Sequence, residues 1–203
     1  MNDFTTWPPL FVVDVEGNGA NPPDLVEVAA LPIRNGQPDT TTTAGHWLIQ
    51  PPNPVTPFAA RVHGLTNQQL ADHPLWETVA PQVHGLLGAA WICAHNAHVD
   101  YKVLSRHLPD WRPAGVIDTL RLARATHPDA PRHTLDALIT HTGIDLTHAP
   151  AQRHRATYDA YATAHLLLTM ATHYDDWNAL RDAAVPPGLP GHRQPTEDAP
   201  GLW

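Results

Sequence analysis

The stretch FVVDVEGNG, Phe11 to Gly19, constrains this chain more than any other. An apolar run leads straight into two acids, Asp14 and Glu16, and then into glycines. Residues two apart on a strand face the same way, so a strand here projects both carboxylates together from the end of a segment whose start is apolar enough to be buried. Like charges side by side repel, and solvent, cationic side chains or a shared metal ion must offset that cost.

At 203 residues, 42% of them hydrophobic, the chain is long enough to bury a real core as one globular domain with or without a tail. A formal net charge of -8 argues against gripping nucleic acid by a broad basic surface, although an enzyme built around carboxylates is naturally acidic. Between Lys102 and Arg155 basic residues are interleaved with aspartates, the pattern of a solvated mixed-charge face. The one cysteine, Cys93 in WICAH, reads as a small buried hydrophobe, and no disulfide can form within the chain. No apolar run approaches membrane-spanning length and the first residues lack a basic segment followed by an apolar one, so the expected location is cytoplasmic.

Apolar runs and turn residues predict strands at the first stretch, at Asp24 to Ile33 and from His46, with an Asn35 to Gln37 turn between the last two. A Pro-rich segment with one short helix follows, then a helical pattern through Leu75, Val79, Val83 and Leu86 that contains Pro81. AAWICAH reads as a strand, His98 to Leu108 as a helix, AGVIDTLRLARAT as strand turning into helix, HTLDALITHTG as a helix stopped by Gly143, and YDAYATAHLLLTMATHY as a long helix. A meander of strands followed by alternating strand and helix predicts a mixed α/β sheet flanked by helices. The domain is expected over 1–182, and 183–203, rich in Pro and Gly with little to bury, is expected to be a disordered tail.

Acids recur where apolar elements meet loops or helix starts: Asp14 and Glu16, Asp100 in AHNAHVDYKVL, and Asp159 in RHRATYDAYATAH. Strand ends and helix starts can converge on one rim. Oxygen donors without a Cys/His set suit hard cations such as Mg²⁺ or Mn²⁺ rather than zinc. Two such ions support phosphodiester hydrolysis, and His154, five residues before Asp159, is placed to take a proton from water.

These residues resemble the DnaQ-like, or DEDDh, 3′-to-5′ exonucleases. DVEGNG matches D-x-E-x-x-G at Asp14, Glu16 and Gly19; AHNAHVD matches H-N-A-x-x-D at Asn96, Ala97 and Asp100; HRATYD matches H-x-x-x-x-D at His154 and Asp159. VEVAA, VHGLT at Val62 to Thr66 and IDTLRLAR at Ile117 resemble accessory blocks, and the similarity runs from about Phe11 to about Tyr174, closest to the exonuclease X and polymerase-proofreading-subunit branches. The resemblance implies an RNase H-like mixed five-stranded sheet, an antiparallel meander then parallel strands, flanked by helices. It implies two divalent ions, Mg²⁺ or Mn²⁺, on Asp14, Glu16, Asp100 and Asp159, with His154 as general base. By the same resemblance Gly17 and Asn18 approach the terminal nucleotide through their backbone, and His63, Leu65 and Asn96 line its pocket, with Leu65 either a wedge against the last base or an ordinary packed leucine. Two departures stand out: Gly17, where many members carry threonine, and Val99, where many carry an aromatic.

The activity so implied is hydrolysis of single-stranded or frayed DNA from the 3′ end, releasing nucleoside 5′-monophosphates. Alternatives are an exoribonuclease of the same superfamily and a module that binds 3′ ends or docks on a polymerase without catalysis. Implied partners are single-stranded 3′ ends, DNA ahead of RNA, and a polymerase or other replication or repair protein. With no second nucleic-acid domain evident, a short footprint and limited processivity are expected. A time course on a labelled oligonucleotide should show stepwise intermediates, and unbroken digestion of blunt duplex would contradict it.

Overall fold

A computed structural model describes residues 3–40 and 45–193. Its framework is β1 (Leu10–Gly17) laid antiparallel to β2 (Leu25–Arg34), with Val12 opposite Leu31 and Glu16 opposite Glu27. Asn35 and Gly36, both at positive φ, turn β2 back into the two-residue β3 (Gln37–Pro38), as a short hairpin with this dipeptide requires. β4 (His46–Leu48) pairs with β2 further along, opposite residues Glu27 to Ala29. On the other side of β1 lie β5 (Trp91–Ala94) and β6 (Gly115–Asp118), both parallel to it. The sheet order is β3-β2-β1-β5-β6 with β4 also on β2, so there are six strands where five were expected. β3 is the addition, too short to leave a periodic signal.

The helices are α1 (Pro57–His63), α2 (Asn67–Leu70), α3 (Trp76–Leu87), α4 (His98–His107), α5 (Thr119–Thr126), α6 (Leu135–Thr142), α7 (Ala156–Ala171) and α8 (Trp177–Ala184). Thr56 caps α1, whose Pro57 sits where no donor is needed, and Thr66 with Gln69 forms a reciprocal capping box on α2. The Pro-rich segment 51–66 thus holds the one short helix expected of it, α1, and α2 is an additional turn of helix just beyond it. α8, which lacks a long apolar pattern, starts at Asp176, whose carboxylate accepts the Ala179 N–H.

Alternation along the strands sorts the core into two layers. Val12, Ala29, Cys93 and Ile117 pack with α5, α7 and α8 on one face, while Val13, Val28, Ile92 and Val116 pack with α3 and α4 on the other. Both faces of β1 are covered, which accounts for its continuous apolar start. The same parity fixes the site: Asp14 and Glu16 share the Val12 face, the α7 side, and Val15 shares the Val13 face, the α4 side. No described helix is long and apolar enough to cross a membrane.

The segment after Ala184 departs from the expected loose tail. Val185 and Leu189 are buried in the two layers, the Val116 N–H donates to the Pro190 carbonyl, and Gly191 lies so near the Trp91 ring that a Cβ there would come within 2.6 Å of it. Two apolar residues and one carbonyl suffice to cover the edge of β6, and composition averaged over the segment hides them. Residues 194–203 of the expected tail lie outside the described residues. Deleting 185–203 is expected to lower stability by about 3 kcal/mol, from the lost burial of one valine and one leucine. An unchanged urea midpoint would show that the segment contributes nothing.

Candidate active site

β1 ends in a bulge between Glu16 and Gly17, and the loop that follows is held by backbone-mimicking bonds. Asn18, fully buried, donates from its side chain to Asp24 Oδ2 (3.0 Å) and the Asn53 carbonyl (3.2 Å) and accepts the N–H groups of Ala20 (3.1 Å) and Asp24 (3.0 Å). Its backbone N–H bonds the Asp24 carbonyl, and its own carbonyl accepts the Thr56 N–H. Gly17 is required locally, because a Cβ there would stand 2.8 Å from Cβ of Pro23. Gly19, at φ +83°, leaves room for the Thr56 hydroxyl, which a Cβ would meet at 2.2 Å.

Against this strand end the first turn of α7 brings Asp159. One carboxylate oxygen from each of Asp14, Glu16 and Asp159 lies within 4.8 Å of the others, the one such group of potential ligands among the described residues. Asp100 arrives from the opposite layer on the first turn of α4; buried, it accepts the Val15 N–H at 3.2 Å. Strand parity thus sets α7 and α4 on either side of β1, and all four acids meet at its C-terminal end.

Burial is the first cause of their shifted acidity. It pushes Glu16 up to about 8, reinforced by Asp159 and Glu27. Asp100 rises to about 7, held back by the Val15 N–H, and Asp159 to about 6, held back chiefly by the neighbouring His154. Asp14 is raised well above the carboxylate range by burial and then by Asp100, Glu16 and Asp159. An all-oxygen donor set in which every member resists its own charge fits a hard divalent cation.

The remaining expected site residues divide into two groups. His154 is exposed, at φ +60° on the turn into α7, and near enough to Asp159 to act on its charge. Asn96, exposed at φ +66°, is pinned by its N–H to Asp118 Oδ1 (3.1 Å), and Val99 beside it stands at the surface. His63 and Leu65, by contrast, are buried. His63 Nδ1 accepts the Leu65 N–H (3.1 Å), so its Nε2–H faces the Gly17 carbonyl (3.3 Å), and the ring braces the loop. Leu65 is packed with Val26, Val55, Ala59 and Leu70 and does not stand free as a wedge.

Sequence reasoning passes over Glu27 and Arg155. Glu27 is wholly buried in β2, and Arg155 clasps it with Nε and Nη2 at 2.9 and 2.8 Å. The available signal was a single acid inside the apolar run LVEVAAL, which demands a buried partner.

In sequence and fold the chain is similar to known proteins. The RNase T exonuclease family model matches residues 11–167. The chain is 34% identical over 153 residues to a DNA polymerase III subunit epsilon of Pasteurella multocida, covering 72% of this chain and 58% of that protein. It is 32% identical over 160 residues to exodeoxyribonuclease 10 of Escherichia coli K12, covering 78% and 67%. Among solved structures, exonuclease X in complex with 5′ overhanging duplex DNA superposes with a TM-score of 0.68 at 30% identity, over 81% of this chain and 92% of that one. Escherichia coli exonuclease I with a dT13 oligonucleotide, at 18% identity and a TM-score of 0.66 over 82% and 41%, shares the fold.

The raised carboxyls have a sign that can be tested. They keep protons in the folded state that the unfolded chain releases, so without divalent ions stability falls as pH rises from about 5 to about 8. Melting followed by circular dichroism should show that fall in EDTA and its removal by Mg²⁺ or Mn²⁺. A melting temperature at about pH 8 that ignores both ions would exclude a cation site here.

Proposed function

This chain belongs to the DnaQ-like exonuclease family, and from that premise we propose that it is a 3′-to-5′ exonuclease acting on DNA. The observation that carries the reading is the convergence of Asp14, Glu16 and Asp159 within 4.8 Å at the open end of β1, with Asp100 beside them. The DNA in the exonuclease X complex and the name of exodeoxyribonuclease 10 support DNA as the substrate class. The chain spans 58% of the Pasteurella subunit, whose name supports a DNA polymerase as partner and, with it, a cytoplasmic location.

In this reading Asp14, Glu16 and Asp159 hold divalent magnesium or manganese, two ions per site, and Asp100 holds the second ion directly or through water. Such ions, when bound, acidify water and stabilise the charge that grows on a phosphate. His154, on the solvent side of Asp159, accepts the proton of the attacking water, a task suited to an imidazole. Asn96, exposed at the turn into α4, faces the nucleotide. Gly17 interposes no side chain between the acids and the incoming strand, and His63 and Asn18 keep its loop in place. Cleavage at the terminal phosphodiester releases a nucleoside 5′-monophosphate.

The test is a denaturing gel of 5′-labelled single-stranded DNA and of RNA with the same sequence, each with Mg²⁺, Mn²⁺ or EDTA. A metal-dependent ladder shortening from the 3′ end is expected, on DNA ahead of RNA. Asp14→Ala, Asp159→Ala and His154→Ala should each keep the wild-type circular dichroism spectrum and lower turnover by at least about 100-fold. Undiminished cleavage by Asp14→Ala would overturn the assignment.

A further inference from the structure

We propose that Glu27 is a positioning residue for the acid cluster: through Arg155 and the Ala156 N–H it fixes the first turn of α7, and so sets where Asp159 and His154 stand relative to Asp14 and Glu16. The inference rests on reading that cluster as the hydrolytic, cation-holding site.

Glu27 lies directly across from Glu16 in the β1–β2 ladder and is wholly buried. Its charge has the same sign as that of the cluster and repels it, raising Asp14, Glu16 and Asp159. A further carboxylate is the last group expected at this place on electrostatic grounds, so its contribution must be geometric. Despite burial, its own carboxyl is held down at about 2 by His46, Arg155 and the Ala156 N–H, and it is therefore ionised.

Every bond it makes reaches another element. Oε1 accepts from Arg155 Nη2 (2.8 Å) and faces His46 Nε2 on β4 (2.7 Å). Oε2 accepts from Arg155 Nε (2.9 Å) and from the Ala156 N–H (3.1 Å). Arg155 is the N-cap of α7 and supplies no side-chain cap bond of its own, so the first backbone donors would be left bare. Glu27 fills that place from a neighbouring strand, with the sign of charge that a helix N-terminus favours.

The consequence travels a short way. The Asp159 N–H bonds the Arg155 carbonyl at 3.0 Å, so the backbone that Glu27 clamps is the backbone that carries the ligand. On the other side of Arg155, His154 is held at φ +60°, a conformation a non-glycine residue keeps only when its surroundings impose it. A planar guanidinium with two parallel bonds fixes orientation as well as distance, which a single bond would not.

A brace that merely stabilises the fold would change melting alone; a positioning residue changes what the cluster binds. Glu27→Gln leaves Arg155 uncompensated, so the main variant is Glu27→Gln with Arg155→Gln, which removes the clamp while leaving the net charge of the pair unchanged. Arg155→Lys, which keeps the charge and loses the fork, is the second. The readouts are Mn²⁺ binding by calorimetry, melting by circular dichroism, and steady-state cleavage of a single-stranded oligonucleotide.

The double variant should melt cooperatively, bind Mn²⁺ at least about tenfold more weakly, and lose kcat by a similar factor with KM for the oligonucleotide within about twofold. Arg155→Lys should fall between it and wild type. Mn²⁺ affinity within about twofold of wild type in the folded double variant overturns the proposal, as does failure of both variants to fold, which makes Glu27 a brace only. Should wild type bind Mn²⁺ through Asp14 and cleave neither DNA nor RNA, the hydrolytic reading fails while the Mn²⁺ titrations still decide the role of Glu27.

Discussion

The structure turns on one electrostatic difficulty: carboxylates gathered where water screens them poorly. Asp14, Glu16, Asp100 and Asp159 each have burial as the leading cause of a raised pKa, and the charges of Glu16, Asp100 and Asp159 add to the difficulty of Asp14. Left to themselves such groups take up protons or draw apart. A fold that keeps them together must be rigid there, and that requirement is visible in its layout.

Rigidity comes from the sheet. β1 is central, covered on both faces, and its alternation hands successive residues to opposite layers. One layer supplies α7 with Asp159, and the other supplies α4 with Asp100, whose carboxylate is locked onto the Val15 N–H. The loop beyond β1 is cross-braced by Asn18 and by His63, whose two ring nitrogens are both committed to backbone groups. Glu27 and Arg155 close the remaining side by tying β2 to the start of α7. Each brace is polar and joins elements distant in sequence, and all but the half-buried Arg155 are buried.

That distance explains what a linear reading sees. The apolar run into Asp14 and Glu16, the acid opening the long helix α7 and the strand-to-helix passages all leave local periodic or capping signals, and these elements stand where they were expected. β3 spans two residues and α2 four, below the length at which periodicity registers. Val185 and Leu189 are dilute among prolines and glycines, so their docking is invisible to composition. Residue type alone could not separate His63, Leu65 and Asn18, which support the loop from within, from Asn96, which is exposed. The partner of Glu27 lies on another element, 128 residues away, and spacing carries no information over that range.

The contact between position 17 and Pro23 limits what substitution can do beside the acids. A Cβ at 17 would stand 2.8 Å from the Cβ of Pro23, an atom that every residue but glycine carries and whose place the backbone fixes. Exchanging the proline for another residue with a Cβ therefore opens no room at 17 unless the loop itself moves. The bare stretch of main chain is set by the path of the loop between Gly17 and Asp24, and a side chain gained at 17 comes only with a rearrangement of that path.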